Sequence, residues 1–175
     1  MAHRLPRLLL TATLATALPF AALAAQEKDS KGGTPTDAGF YQNATGANVS
    51  EVELSKLALA QGSSAKVKQF AQHLVDDHTK ANEKLTSLGS GDRGYATTTE
   101  PPPEAQKDIN ALKMLNGKDF DREYAKVMVA DHEKAVAIFE VEVEKGSNPE
   151  LTAFAKQTLP TLKQHLKMAK ALPTK

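Results

Sequence analysis

Val75-Asp76-Asp77-His78-Thr79-Lys80-Ala81 returns, little changed, as Val129-Ala130-Asp131-His132-Glu133-Lys134-Ala135. Around the first copy, Val67, Phe70, Ala71, Leu74, His78, Ala81, Leu85 and Leu88 recur at the spacing of one helix face. Around the second, Phe120, Tyr124, Met128, His132, Ala135 and Phe139 do the same. In both copies the histidine falls on the apolar stripe. Two core-facing histidines on two long helices predict a bundle whose interior holds either a metal site or a polar layer.

Three further helical patterns flank these two, and no convincing strand alternation appears. The first runs from Thr36 to Gln61 on Phe40, Ala44, Ala47, Leu54 and Ala58. Gly46 weakens it, and Ser50-Glu51-Val52-Glu53 reads as a capping box, so a break near Ser50 is expected. The second helix, Ala65 to Leu88, follows Gly62-Ser63-Ser64 and stops at Gly89-Ser90-Gly91. Residues 89–103 form a long connection that finishes in Pro101-Pro102-Pro103, a stiff non-helical segment. A short helix, Glu104 to Leu115, follows. Asp119 is the expected cap of the fourth helix, which reaches Lys145. Asn148-Pro149 opens the fifth, and Pro160 inside it predicts a kink.

A second repeat has an offset of 84 residues: Gly62-Ser63 matches Gly146-Ser147, Val67 matches Leu151, and Phe70-Ala71 matches Phe154-Ala155. The fold predicted is therefore an all-α, ferritin-like four-helix bundle. It consists of two antiparallel hairpins joined by a long crossover that carries one short extra helix.

The start of the chain reads as an export signal. Arg4 and Arg7 precede an apolar run, Leu8 to Leu23, and Ala22-Leu23-Ala24 supplies the small residues of a cleavage site after Ala24. The run is short for a bilayer span and contains Pro19, so the processed protein is expected not to span a membrane. Residues 25–35 read as a flexible leader and residues 36–172 as the bundle domain. Removing residues 1–24 from the 175 leaves 151, with 20 basic against 21 acidic side chains. That balance, without a basic stripe, argues against a nucleic-acid partner. The absence of Cys excludes disulfides and a lipidated N-terminal cysteine. No small-molecule substrate and no protein partner can be read from the chain.

Taken together, Glu51-Val-Glu53-Leu-Ser-Lys-Leu-Ala, Phe70-Ala-Gln-His-Leu-Val-Asp-Asp-His78, Phe120-Asp-Arg-Glu-Tyr124, Met128-Val-Ala-Asp-His132-Glu-Lys-Ala and Thr158-Leu-Pro160-Thr-Leu resemble one family. It is the exported bacterial family catalogued as domain of unknown function 4142, described as ferritin-like. The resemblance covers roughly residues 36–172. It implies a fold and an exported location and carries no activity with it.

His78, His132 and His165 lie on the core stripes of three helices. Three imidazoles at one level suit Zn, Cu or Fe. His78 is 15 residues past Ser63 and His132 is 15 before Ser147, which places them at similar depth. His165 lies 18 past Ser147, about one turn further along. Glu51 or Glu53 is the available acid ligand from the first helix. Asp77 and Asp131 point about 100° away from the histidines that follow them, so each would face outward or serve a different helix. A ferritin-type di-metal site needs Glu-x-x-His on two helices. The residues three before His73, His78, His132 and His165 are Phe70, Val75, Val129 and Leu162. The di-iron ligands are missing. Met128 and Met168 share helix faces with His132 and His165, a pairing that suits copper but that core packing also explains. No nucleophile elbow or phosphate-binding loop occurs.

The reading these residues favour is a non-enzymatic envelope protein with a structural polar layer of Asp77, His78, Asp131 and His132 and no required cofactor. The alternative is a periplasmic metal-binding or metal-buffering protein using His78, His132 and His165. A metal-dependent oxidoreductase of ferritin-like descent comes last.

Overall fold

The computed structural model describes residues 37–89 and 95–173. The expected signal, 1–24, and leader, 25–35, lie outside the described residues. Five helices follow in order: α1 (Asp37–Gln61), α2 (Ala65–Gly89), α3 (Pro103–Lys113), α4 (Gly117–Lys145) and α5 (Pro149–Lys170). No helix among the described residues is long and apolar enough to cross a membrane.

The path of the chain follows from contacts at the two ends of the bundle. Ser63 and Ser64, in the α1–α2 turn, donate their backbone N–H groups to the buried Asp121 carboxylate near the start of α4, and the Ser63 hydroxyl donates to it at 2.6 Å. At the opposite end, the Ser147 N–H donates to Asp37, at the start of α1, at 2.9 Å, and its hydroxyl donates to the same carboxylate. The two clasps are equivalent under the 84-residue offset: Asp37 corresponds to Asp121, and Ser63 to Ser147. They set α1 antiparallel to α4. Each hairpin is antiparallel within itself, so α2 and α4 run the same way. The crossover therefore travels the length of the bundle, with Thr97 bonded to Tyr41, Thr98 beside Thr45, and α3 packed on α1 and α4. This is the expected all-α four-helix bundle with a short extra helix in the crossover.

Local sequence explains most helix ends. Asn148 caps α5 by accepting from Glu150 and Leu151, with Pro149 in the first turn and Lys167 and Lys170 in the last. Pro103 opens α3. Two expectations are corrected. First, α1 does not break: Ser50 lies inside it and its hydroxyl donates to the Gly46 carbonyl at 2.7 Å. α2, α3 and α4 all pack on α1. That burial outweighs the roughly 1 kcal/mol that an interior glycine costs. Second, α4 starts at Gly117, after Asn116, and not at Asp119. Gly117 has φ +61°, the left-handed region that favours glycine, and Asp119 sits in the first turn paired with Arg122 at 2.6 Å. α5 stays helical through Pro160, whose side is exposed.

The apolar core has two parts. One contains Leu54, Val67, Phe70, Leu74, Ile109, Leu112, Phe120, Tyr124 and Met128. The other contains Phe40, Tyr41, Leu85, Phe139, Leu151, Phe154 and Leu162. Gly89 closes the second, because a Cβ there would collide with the Tyr41 ring and hydroxyl. On the four helices, the buried residues between these two sets include Asn48 and Glu51, His78, His132 and His165.

Candidate metal centre

His78 reaches the interior from α2, His132 from α4 and His165 from α5, and none is more than 5% exposed. Their ring centroids are 5.7 Å (His78–His132), 5.5 Å (His78–His165) and 5.4 Å (His132–His165) apart. The expected one-turn offset of His165 is thus not seen. Three residues of helix are about 4.5 Å of rise. Side chains lean toward the N-terminus of their own helix. Because α4 and α5 are antiparallel, His132 and His165 lean toward each other, and the backbone offset closes at the rings.

Each ring has one nitrogen engaged and one free. His78 Nδ1 lies 2.9 Å from Asn48 Oδ1, His132 Nδ1 donates to the Met128 carbonyl at 2.8 Å, and His165 Nε2 lies 3.1 Å from Asp77 Oδ2. Carbonyl and carboxylate oxygens only accept, so the engaged nitrogen is the protonated one on His132 and His165, and likewise on His78 opposite the Asn48 oxygen. The remaining nitrogens, His78 Nε2, His132 Nε2 and His165 Nδ1, are buried without a hydrogen-bond partner. In neutral imidazole those three atoms carry the lone pairs. One ligand nitrogen from each ring can be chosen so that all three lie within 4.8 Å of one another.

The neutral form is the one the surroundings favour. Burial pushes His78 well below its usual range, reinforced by His132, His165 and His73. Burial pushes His132 down to about 4, against the opposing pull of the Met128 carbonyl. Burial also lowers His165, partly offset by Asp77. The effect is that of desolvation on a cation. Glu51 moves the other way: burial first, then Asp131, raises its carboxyl well above the usual range.

The acid residues separate clearly. Glu51 is buried, with Oε1 3.6 Å from His132 Nδ1, the engaged nitrogen, and it lies outside the group of converging ligand atoms. Glu53 is corrected as a ligand: it faces outward and pairs with Lys113 at 3.3 Å. Asp77 serves the histidine of a different helix, His165. Asp131 lies beside Glu51, at the edge of the layer. It hydrogen-bonds none of the histidines and faces α3, where burial and then Asp108 raise it to about 6. Asn48 and Glu51 stand in the layer beside His78 and His132. Asn48 has a signal in the sequence, since it matches His132 under the 84-residue offset; the apolar stripe through Ala44 and Ala47 obscured it. Met128 and Met168 pack in or against one apolar cluster, and what Met128 gives the centre is its backbone carbonyl.

A cavity of about 520 Å³ adjoins the layer, lined by Glu51, His78, His132 and His165 together with Asp131 and Ala135. With three imidazoles brought together and one nitrogen of each ring anchored, the arrangement has the form of a three-nitrogen ligand set with its supporting hydrogen bonds in place.

No curated protein matches the sequence. Among solved structures the bundle is similar to CopM, in its Cu(II)-bound form with 17% identity and in its Cu(I)-bound form with 18%. Both matches cover 78% of this chain and 94% of that chain, with a TM-score of 0.65. It is also similar to a DUF305 fragment from Deinococcus radiodurans, with 17% identity over 79% of this chain and 95% of that one, and a TM-score of 0.68. At these identities the likeness is one of fold. The sequence itself matches the family described as Domain of unknown function (DUF4142) over residues 22–172, nearly its whole length, and the chain belongs to that family.

Proposed function

We propose that this protein binds a transition-metal ion at His78, His132 and His165, and that it is an exported metal-binding or metal-buffering protein rather than an enzyme. One observation carries the reading: three buried imidazoles bring ligand atoms within 4.8 Å of one another, and each ring keeps one nitrogen without a hydrogen-bond partner. An unsatisfied buried acceptor costs about 1–3 kcal/mol. Three in one layer are a poor solution for a purely structural core and a sound one for a site that a cation completes. The donor set is all nitrogen and favours Zn²⁺ or copper over Mg²⁺ or Ca²⁺. The fold likeness to CopM, described in copper-bound forms, supports copper as the first ion to test. Export rests on the Arg4, Arg7 and Ala22-Leu23-Ala24 pattern.

A thermal melt with and without Cu²⁺, Zn²⁺ and Fe²⁺, repeated on His165→Ala, tests the reading. A metal that binds only the folded state stabilises it by about 2.7 kcal/mol at a free concentration 100 times Kd. For a domain of this size that raises Tm by roughly 10 °C. The shift is expected in wild type and absent in His165→Ala. Unchanged melting with every ion would return the histidines to a structural role.

A further inference from the structure

His73 does not belong to the apolar stripe of α2, yet it is not a bland surface residue. Its Nε2 lies 3.4 Å from Asp77 Oδ2, the same oxygen that His165 Nε2 approaches at 3.1 Å. The His73 and His165 rings are 5.3 Å apart and nearly perpendicular. One ligand atom from each of the three residues falls within 4.8 Å of the others. Side-chain exposure falls from 43% at His73 to 29% at Asp77 and 1% at His165. This is a second cluster of ligand type, facing solvent, and it shares one member with the inner centre.

We propose that His73, Asp77 and His165 form an outer transition-metal site that loads the inner one through His165. The inference rests on the inner three-histidine reading above. Its ligand is the same class of ion, Cu²⁺ or Zn²⁺, since two imidazoles and one carboxylate suit either.

While the His165 ring stays neutral, it can serve only one of the two sites at a time. With the inner site competent, His165 carries its proton on Nε2, facing Asp77, and its lone pair on Nδ1. An ion in the outer site needs the lone pair on Nε2. The Nε2 proton then leaves to water, and Nδ1 takes one from water, so the ring stays neutral with no net proton change. In that tautomer Nδ1 cannot ligate, and the inner site lacks its third nitrogen. Passage inward reverses both transfers. No electron is exchanged. The chain thus holds one ion at a time, bound first at the rim and then in the core. This gives the Asp77–His165 contact a role beyond orientation: it sets which face of the ring binds metal.

Equilibrium dialysis against Cu²⁺, electron paramagnetic resonance of the bound copper and stopped-flow uptake test this on wild type, His73→Ala, His132→Ala and the double variant. Wild type is expected to hold one copper per chain with a three-nitrogen spectrum. His132→Ala should hold one copper more weakly, with a spectrum of two nitrogens and one carboxylate oxygen, and the double variant should lose it. His73→Ala, a change at a partly exposed position, should reach the wild-type spectrum and stoichiometry but load several-fold more slowly. Equal copper in His132→Ala and the double variant would overturn the outer site, as would wild-type loading in His73→Ala. If His132→Ala fails to fold, the His73→Ala rate alone decides. A wild-type spectrum identical to that of His132→Ala and lost in His73→Ala would show an outer site without an inner one. That result would sink the inner reading and the loading role together.

Discussion

Replacing His132 with leucine should stabilise the metal-free protein while removing its metal site. The His132 ring is 1% exposed and its Nε2 has no partner. Leucine has a similar volume and leaves no polar atom behind. The Met128 carbonyl is not orphaned by the change, because it still accepts the backbone N–H of residue 132 within α4. Relief of one unsatisfied buried acceptor is worth about 1–3 kcal/mol at pH 7. The gap should widen on acidification. Folding pushes the His132 pKa from 6.5 down to about 4. Below pH 6.5 the unfolded chain therefore binds a proton that the folded chain refuses. The wild type loses this stability as pH falls through 6.5, and the loss levels off near pH 4. Between pH 7 and pH 5 the difference comes to about 2 kcal/mol from this one residue. Urea unfolding of both proteins with chelator present, at pH 7 and pH 5, measures it. A variant less stable than wild type at pH 7, with the same gap at pH 5, would refute the reasoning and show that the imidazole is a satisfied structural group.

Other outcomes follow from the frame. Asp121→Ala removes the acceptor of the Ser63 and Ser64 N–H groups and of the Ser63 hydroxyl, and should cost about 2 kcal/mol in urea unfolding. Gly89→Ala drives a methyl group into the Tyr41 ring and should cost about 1–3 kcal/mol, with Gly117→Ala destabilising for a different reason, its positive φ. N-terminal sequencing of the exported protein should start at Ala25 or within a residue or two. An intact Met1 in a membrane fraction would count against export with cleavage.

The helices were legible because their stripes are long and their ends carry local chemistry. Asn148-Pro149 and the run of prolines before α3 needed no tertiary knowledge. The antiparallel hairpins followed from short turns, and the crossover from its length. What local sequence does not encode is how hard the rest of the bundle presses on a weak point. α1 has a glycine and a capping box inside it and runs straight through both, because neighbours cover it on several sides. The same limit applies at the centre. Counting residues from the turns ranked the histidines by backbone depth and set His165 a turn away. It omitted the opposite lean of side chains on antiparallel helices. Asp131 looked equivalent to Asp77 from the repeated phrase. Their surroundings differ, since α5 presents His165 to one and α3 presents Asp108 to the other. Asn48 and Glu51 are polar residues on a stripe chosen for being apolar, and only packing shows that they face inward.

X-ray absorption at the metal edge of copper- or zinc-loaded protein tests the central claim most directly. The account predicts three imidazole nitrogens at roughly 2.0–2.1 Å for zinc, with the multiple-scattering pattern of histidine rings. That pattern should drop to at most two imidazoles in His132→Leu. A shell made of oxygen alone, or an unchanged spectrum in His132→Leu, would contradict it.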